Sequence, residues 1–172
     1  MLCSLEDRAE IDDLVAHYFQ ALNLHRFDEL AEVFTEDANF DFSEETGVVY
    51  RRLADIIDFI RQGVASHAAS QLLTSIFRVW STGPDTAEGY GHVANNAVKP
   101  GYSLPAPGSA SVVLTGSYSD KYLRTPIGWR IASRYFTAIS IFGSADGFGD
   151  TMAGKVFSRV ASGEAALDNA RR

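Results

Sequence analysis

Hydrophobic residues recur every three or four positions in the first third of the chain, which is the period of an amphipathic helix. The clearest stripe comprises Ile11, Leu14, Val15, Tyr18, Phe19 and Leu22. Ser4, with Asp7 three residues later, resembles a capping box and predicts where this helix starts. The same spacing predicts a short helix over 27–34 and a third helix over 53–64, with short strands at 39–42 and 48–50 between them.

The pattern changes to strands after about Ser70. Strands are predicted over 71–81, 87–97, 111–124 and 129–141, and a tight turn joins the last two. Both of these last strands exceed the usual strand length of about five to six residues, which favours a strongly curved sheet. Helices followed by an antiparallel meander predict an α+β fold, with the helices packed on one side of the sheet around an apolar pocket.

The C-terminal segment, residues 143–172, differs in composition from the predicted 1–142 domain. It contains Gly143, Gly147, Gly149 and Gly154 in close succession. A short helix is predicted over 152–160. We expect this tail to dock on a neighbouring subunit or to fray.

Composition limits the classes of binding partner and indicates the cellular compartment. A net charge of -7 argues against nucleic acid and anionic membrane surfaces, since both require a basic footprint. The single cysteine, Cys3, allows no internal disulfide, and no membrane-spanning or signal-like segment is visible. We therefore expect a cytoplasmic protein. No metal-ligand spacing or phosphate-binding loop is present, so no cofactor is predicted.

Two stretches, EIDDLVAHYFQALNLHRFDELAEVFTEDANFDF and GSYSDKYLRTPIGWRIASR, resemble the SnoaL-like branch of the nuclear transport factor 2-like superfamily. The resemblance covers about residues 5–141 and implies a cone-shaped α+β barrel with an antiparallel or mixed sheet. Relatives in this branch include scytalone dehydratase, hexachlorocyclohexane dehydrochlorinase, bile-acid dehydratases and polyketide cyclases. Fold alone does not give the reaction.

The eliminating enzymes of this branch use an Asp–His dyad, in which the His takes a proton from substrate carbon. Carried over residue by residue, these positions fall on Asn23 and Gln71, which are neutral amides. The resemblance therefore implies that the dyad is absent and that these amides hydrogen-bond the substrate instead. Tyr18 is similar to a Tyr of the bile-acid dehydratases. An alternative match, displaced by four residues, would bring His67 close to the strand start.

Strand alternation selects further candidates. Val93 and Asn95 share one face of their strand and His92 lies on the other; the similarity to the dehydrochlorinases implies that the Val93 and Asn95 face lines the pocket, and a one-residue change of register would bring His92 inside instead. Tyr118 is the predicted hydrogen-bonding group of the third long strand. The predicted substrate-binding set is Phe40, Phe42, Phe77, Val93, Asn95, Leu114, Arg134 and Phe136. For Arg134 the partner is either Asp120, placed near the pocket rim, or a substrate anion.

These observations leave three functional hypotheses. The first is a cofactor-free lyase, isomerase or cyclase that acts on a small hydrophobic or polyketide-like molecule through shape and hydrogen bonds. The second is a non-catalytic ligand-binding or structural subunit. The third is a dehydratase-like enzyme with His92 or His67 as its base. A homo-oligomer, either a dimer or a trimer, is expected in each case, because the outer sheet face is apolar.

Overall fold

The computed structural model describes residues 2–163. The helices are α1 (Leu5–Asn23), α2 (Ser43–Thr46), α3 (Leu53–Ala65) and α4 (Met152–Ala161), with 3₁₀ turns at Phe27–Glu32 and Gly108–Ala110. The strands are β1 (Phe34–Phe42), β2 (Val48–Arg51), β3 (Ala69–Thr74), β4 (Arg78–Gly83), β5 (Thr86–Val98), β6 (Ser111–Thr125) and β7 (Gly128–Phe142). None of the described helices is long and apolar enough to span a bilayer.

Helix α1 begins where the capping pattern predicts. The Ser4 hydroxyl accepts a hydrogen bond of 3.0 Å from the backbone N–H of Asp7, which satisfies one of the free donors at the helix start. The predicted apolar stripe is buried, and Ile11 and Tyr18 are almost fully inaccessible. The helix ends at Asn23, and His25 takes a positive φ of 57° in the turn that follows.

A single curved sheet forms the body of the protein. Its strand order is β2-β1-β7-β6-β5-β3, with β4 also paired to β5. Only the β1–β7 pair among these is parallel, because helical and turn segments separate β1 from the antiparallel meander. Strands β6 and β7 contain 15 residues each, and their ladder shifts register twice, which adds local twist. The predicted α+β class, with helices on a mixed curved sheet, is confirmed.

The predicted strand 71–81 is in fact two strands, β3 and β4. The chain leaves the ladder between them, and in this interval the Phe77 ring packs directly over Gly91. A Cβ atom at Gly91 would lie 2.3 Å from a ring carbon of Phe77. Two other boundaries differ: β1 starts five residues earlier than predicted, and the polar segment 43–46 is the short helix α2.

Within the single chain, the helix of the C-terminal segment packs on its own barrel, and docking of this segment on a neighbouring subunit stays a prediction. Helix α4 contacts α2, α3 and β7, because its face formed by Ala153, Val156 and Phe157 is apolar and becomes buried there. Its start is capped by the Thr151 hydroxyl, which accepts from Gly154 N–H at 3.1 Å. Residues 164–172 of the predicted tail lie outside the described residues.

Candidate functional site

A cavity of about 100 Å³ lies between α1, α3, α4 and the inner face of the sheet. Its apolar lining comprises Leu22, Phe40, Phe42, Phe59, Ile60, Gly63, Val64, Leu72, Leu114, Met152, Ala153, Val156 and Phe157. Four polar residues complete the described lining: Tyr18, His67, Asn95 and Tyr118. No Asp, Glu, Lys or Arg side chain lines it within residues 2–163, so the cavity suits an uncharged ligand.

Tyr18 and Tyr118 form a pair in the cavity wall. Their hydroxyl oxygens are 3.4 Å apart, and their rings meet edge to face with centroids separated by 6.1 Å. Burial raises the pKa of Tyr18 and raises that of Tyr118 well above its usual range. Both phenols therefore remain protonated at neutral pH. One of them can donate a hydrogen bond to its neighbour and leave the other O–H for a ligand oxygen.

Arg134 supports this pair but does not line the cavity. It is fully buried, and its Nε and Nη2 atoms each donate to the Asp120 carboxylate at 2.7 Å. The Tyr122 hydroxyl donates to the same carboxylate at 2.8 Å. Burial opposes the charge of Arg134, but the Asp120 carboxylate outweighs it, so the pKa of Arg134 is raised. The substrate-binding role predicted for Arg134 is therefore wrong, and Asp120 is buried instead of lying near the rim.

The guanidinium also contacts the faces of both phenol rings. Its central carbon is 4.1 Å from the Tyr18 ring centroid and 4.3 Å from that of Tyr118. Such cation–π contacts are stabilising when they are desolvated. Arg134 thus holds the two rings in fixed positions and withdraws electron density from them. Both effects favour hydroxyl groups that donate.

His67 lies between the end of α3 and the start of β3, with its ring at the cavity. The ring stacks on Phe157, with an interplanar angle of 14° and centroids 6.1 Å apart, and meets the edge of Phe148. Among the described residues, neither ring nitrogen has a hydrogen-bond partner. Burial, together with the charge of His25, lowers the pKa of His67 to about 4. The imidazole is therefore neutral at pH 7, and no carboxylate fixes its tautomer.

Asn95 provides the second unpartnered polar group of the cavity. It lies on β5, and its Oδ1 atom is buried with no hydrogen-bond partner in the described part of the chain. Buried polar atoms of this kind are uncommon and call for a ligand or a water molecule. His67 and Asn95 together therefore mark the part of the cavity that is able to receive hydrogen bonds.

The two amides predicted to replace the dyad do not serve the cavity. The Asn23 side chain donates to the carbonyl of Leu72 at 3.0 Å and accepts from the Leu72 N–H at 2.7 Å. It therefore fastens the end of α1 to β3, and the prediction that it grips a ligand is wrong. Gln71 is exposed, because strand alternation places its neighbour Leu72 on the inner face.

His92 points away from the cavity. Its side chain is exposed, and its ring meets that of Tyr90 edge to face at 5.3 Å. The register of β5 is the one in which Asn95 faces inward. The catalytic role considered for His92 is therefore wrong. The prediction that the Val93 and Asn95 face points inward, with His92 outside the pocket, agrees with the structure.

Three predicted substrate-binding residues are core side chains outside the cavity lining. Phe77 packs over Gly91, Val93 is buried, and Phe136 stacks on Phe42 with ring centroids 4.5 Å apart. Their apolar character and burial agree with the prediction, but none of the three lines the open volume. Phe40, Phe42, Asn95 and Leu114 from the same predicted set do line the cavity.

Sequence reasoning missed the wall that α4 contributes. Met152, Ala153, Val156 and Phe157 recur at helical spacing and line the cavity. That spacing was visible in the sequence, but the glycines before it favoured a peripheral tail. No cluster of His, Cys, Asp and Glu side chains within residues 2–163 is arranged to hold a metal ion.

Comparison with known proteins places this architecture in a family. The family model described as a SnoaL-like domain matches residues 4–135. The chain belongs to this family, which confirms the resemblance in its first helix and last strands.

Individual relatives extend the comparison. The uncharacterized protein Rv2910c of Mycobacterium tuberculosis is 31% identical over 137 residues, which cover 79% of this chain and 88% of the relative. The crystal structure of Kfla4162 protein from Kribbella flavida is similar with a TM-score of 0.70 and 26% identity, covering 80% of this chain and 93% of that one. The hexachlorocyclohexane dehydrochlorinase LinA-type3 from Novosphingobium barchaimii LL02 gives a TM-score of 0.68 at 17% identity, covering 83% and 92% respectively. At that identity the likeness shows the fold alone.

Proposed function

We propose that this protein is a cofactor-free lyase, isomerase or cyclase that acts on a small, uncharged, largely apolar ring compound in the cavity. The observation that carries the proposal is the Tyr18–Tyr118 pair, two protonated phenols in the wall of a cavity lined mainly by hydrocarbon. A donor fixed in a dry site stabilises negative charge on a substrate oxygen by about 3 kcal/mol. Since no His–carboxylate dyad lines the cavity within residues 2–163, catalysis would depend on shape and hydrogen bonding.

His67 is the titratable base that lines this cavity. As a neutral imidazole it would accept a proton from substrate carbon while a tyrosine donates to the substrate carbonyl. Its lowered pKa makes it a weak base, so a simple ketone should exchange slowly and a substrate with an activated carbon acid should react faster. Of the two bases named in the dehydratase-like hypothesis, His67 is therefore retained in the proposal and His92 is not.

The size of the cavity limits the substrate. An apolar cavity of about 150 Å³ is known to hold benzene, whereas this one has a volume of about 100 Å³. A single ring therefore enters when side chains of α4 shift outward. A fused-ring, polyketide-like molecule requires a larger displacement of the same helix.

A proton-exchange assay tests the proposal. Cyclohexanone, a neutral ring ketone, is incubated with the protein in heavy water, and deuterium incorporation beside the carbonyl is followed by NMR. We expect catalysed exchange, with a rate at least about tenfold lower in Tyr118→Phe and His67→Phe. The exposed substitution His92→Gln is the matched control and keeps the wild-type rate. Unchanged exchange in both cavity variants would contradict the proposal.

A second candidate function is a non-catalytic binder of the same class of compound. The observation that favours it is the absence of a carboxylate beside His67 in the described residues, which leaves the imidazole a poor base. Binding of phenol without exchange of cyclohexanone would select this function.

Self-association, as a dimer or a trimer, also remains a prediction. Tyr90, Ile139 and Phe142 are exposed large hydrophobic residues on β5 and β7, and burial of such a surface favours an oligomer. Light scattering on the purified chain would decide between one, two and three copies. The cytoplasmic location likewise stays a prediction.

A further inference from the structure

We propose that the ligand site continues past Met152 into a groove between the α2–β2 segment and α4, where Glu45 hydrogen-bonds a neutral polar tail of the same ligand. The inference rests on the proposed function, because the ring of that ligand is taken to occupy the cavity. It adds a second recognition element and a more specific class of ligand.

The groove has a volume of about 580 Å³. Glu45, Val48 and Tyr50 line it from the α2–β2 segment, and Met152, Lys155 and Arg159 line it from α4. One wall therefore offers a carboxyl group with an apolar surface beside it, and the other wall offers two cations.

Glu45 is an unusual residue for a groove wall. Its side chain is 1% exposed, and its Oε1 atom accepts from the backbone N–H of Ala138 at 2.9 Å. The Oε2 atom is buried and has no hydrogen-bond partner within residues 2–163. An unsatisfied buried carboxyl oxygen is destabilising, so its retention at the groove is explained if a ligand supplies the missing partner.

The environment of Glu45 allows its carboxyl group to be protonated or ionised near neutral pH. Burial, with the nearby charges of Glu44 and Asp41, raises the pKa of Glu45 to about 7. Glu44 is itself hydrogen-bonded to the Tyr135 hydroxyl. At neutral pH, Glu45 is therefore populated in both protonation states, and a ligand hydroxyl can donate to one state or accept from the other.

The cavity and the groove are adjacent. Met152 lines both of them. The Tyr50 ring, in the groove, stacks on the Phe59 ring, in the cavity wall, with centroids 4.0 Å apart. Ligand pockets usually measure about 300–1,000 Å³, which the cavity alone does not reach. Displacement of the flexible Met152 side chain would join the two volumes.

The groove carries charges of both signs, so a tail of either charge would be repelled by one of its walls. A carboxylate tail would meet Glu45 at the buried end of the groove, and an ammonium tail would meet Lys155 and Arg159 on the opposite wall. A hydroxyl or an amide N–H satisfies Glu45 without either repulsion. The expected ligand is therefore an uncharged ring that carries a short chain ending in a hydroxyl or amide group.

Three probes measured by calorimetry at neutral pH test this inference: phenol, 4-propylphenol and 4-(3-hydroxypropyl)phenol. In the wild-type protein we expect the hydroxyl-tailed compound to bind at least about tenfold more tightly than the propyl compound. Glu45→Leu should remove this preference and leave phenol affinity unchanged. Glu45→Gln should retain part of it, since its amide still forms hydrogen bonds. Glu10→Leu, a change of the same type on the exposed face of α1, is the matched control.

Met152→Ala provides a readout that does not depend on Glu45. Because it removes the partition, it should raise the affinity of both tailed compounds relative to that of phenol. Equal affinities of the two tailed compounds in the wild type, or an undiminished preference in both Glu45 variants, would overturn the inference. If phenol does not bind the wild-type protein, the proposed function is contradicted. If phenol binds but the two tailed compounds bind with equal affinity, only the proposed groove site is contradicted.

Discussion

Two groups of buried polar residues differ in whether their hydrogen-bond acceptors are satisfied. In the core ion-pair cluster, formed by Asp120, Tyr122 and Arg134, both carboxylate oxygens accept bonds of 2.7–2.8 Å, although the Nη1 atom of Arg134 has no partner in the described chain. The cavity acceptors, His67 and Asn95, have ring and amide atoms without partners in the described chain. The cluster is therefore read as structural support, and the unpaired atoms are read as a place for a ligand.

The largest effect is expected from breaking the core ion-pair cluster. Asp120→Ala leaves the Arg134 guanidinium buried without its counter-charge, so the free energy of unfolding should fall by about 3–5 kcal/mol. Urea unfolding followed by circular dichroism measures this. Asp58→Ala removes an exposed partner of Arg61 and should change stability by less than about 0.5 kcal/mol. Similar losses in the two variants would contradict the distinction.

His67, one of the two unpartnered cavity residues, should make the stability of the protein depend on pH. The pKa of His67 is lower in the folded protein, about 4, than the ordinary value of 6.5. The unfolded chain therefore binds more protons between these values, and stability present above about pH 6.5 is lost as the pH falls towards 4. His67→Phe should remove up to about 3 kcal/mol of this loss. The free energy of unfolding is measured at several pH values across this range for the wild type and for His67→Phe. The same pH dependence in the two proteins would refute the prediction.

Glu45 should show the opposite dependence. Its folded pKa of about 7 lies above the ordinary value of 4.5, so the folded state binds more protons between them. Stability is then lost as the pH rises from about 4.5 to 7. The stability of Glu45→Gln should therefore change less over this interval, by up to about 3 kcal/mol. The same unfolding series tests it, with Glu10→Gln as the exposed control.

Substitution of Asn23 tests whether its side-chain amide stabilises the fold or binds the ligand. Asn23→Ala leaves the backbone N–H and carbonyl of Leu72 without their partners, so we expect about 2 kcal/mol of destabilisation. Phenol affinity, measured by calorimetry on the folded variant, should stay near the wild-type value. A specific loss of phenol affinity with unchanged stability would restore the ligand-binding role for this amide.

The smallest effect belongs to His92. His92→Gln changes an exposed side chain on the outer face of β5, so stability should move by less than about 0.5 kcal/mol. Cyclohexanone exchange should also be unchanged. A pH-dependent loss of exchange in this variant would show that the strand adopts the other register in solution.

The elements were largely predictable because their signals are local. The buried stripe of α1, the turn at Gly128 and the lengths of β6 and β7 all follow from spacing within a short window. The placement of individual side chains was less predictable. Gln71 and Leu72 differ by one position in a strand, and one position decides between solvent and cavity.

The sequence by itself determined the α+β class and the apolar character of the interior, since periodicity and composition carry that information, and the resemblance of its first helix and last strands pointed to the family. Only the tertiary structure decided that Asn23 binds backbone, that His67 reaches the cavity, and that α4 supplies its outer wall. The contact between Asn23 and Leu72, for example, joins residues that lie 49 positions apart. The geometry of such contacts depends on how whole elements pack, and no local pattern encodes that distance.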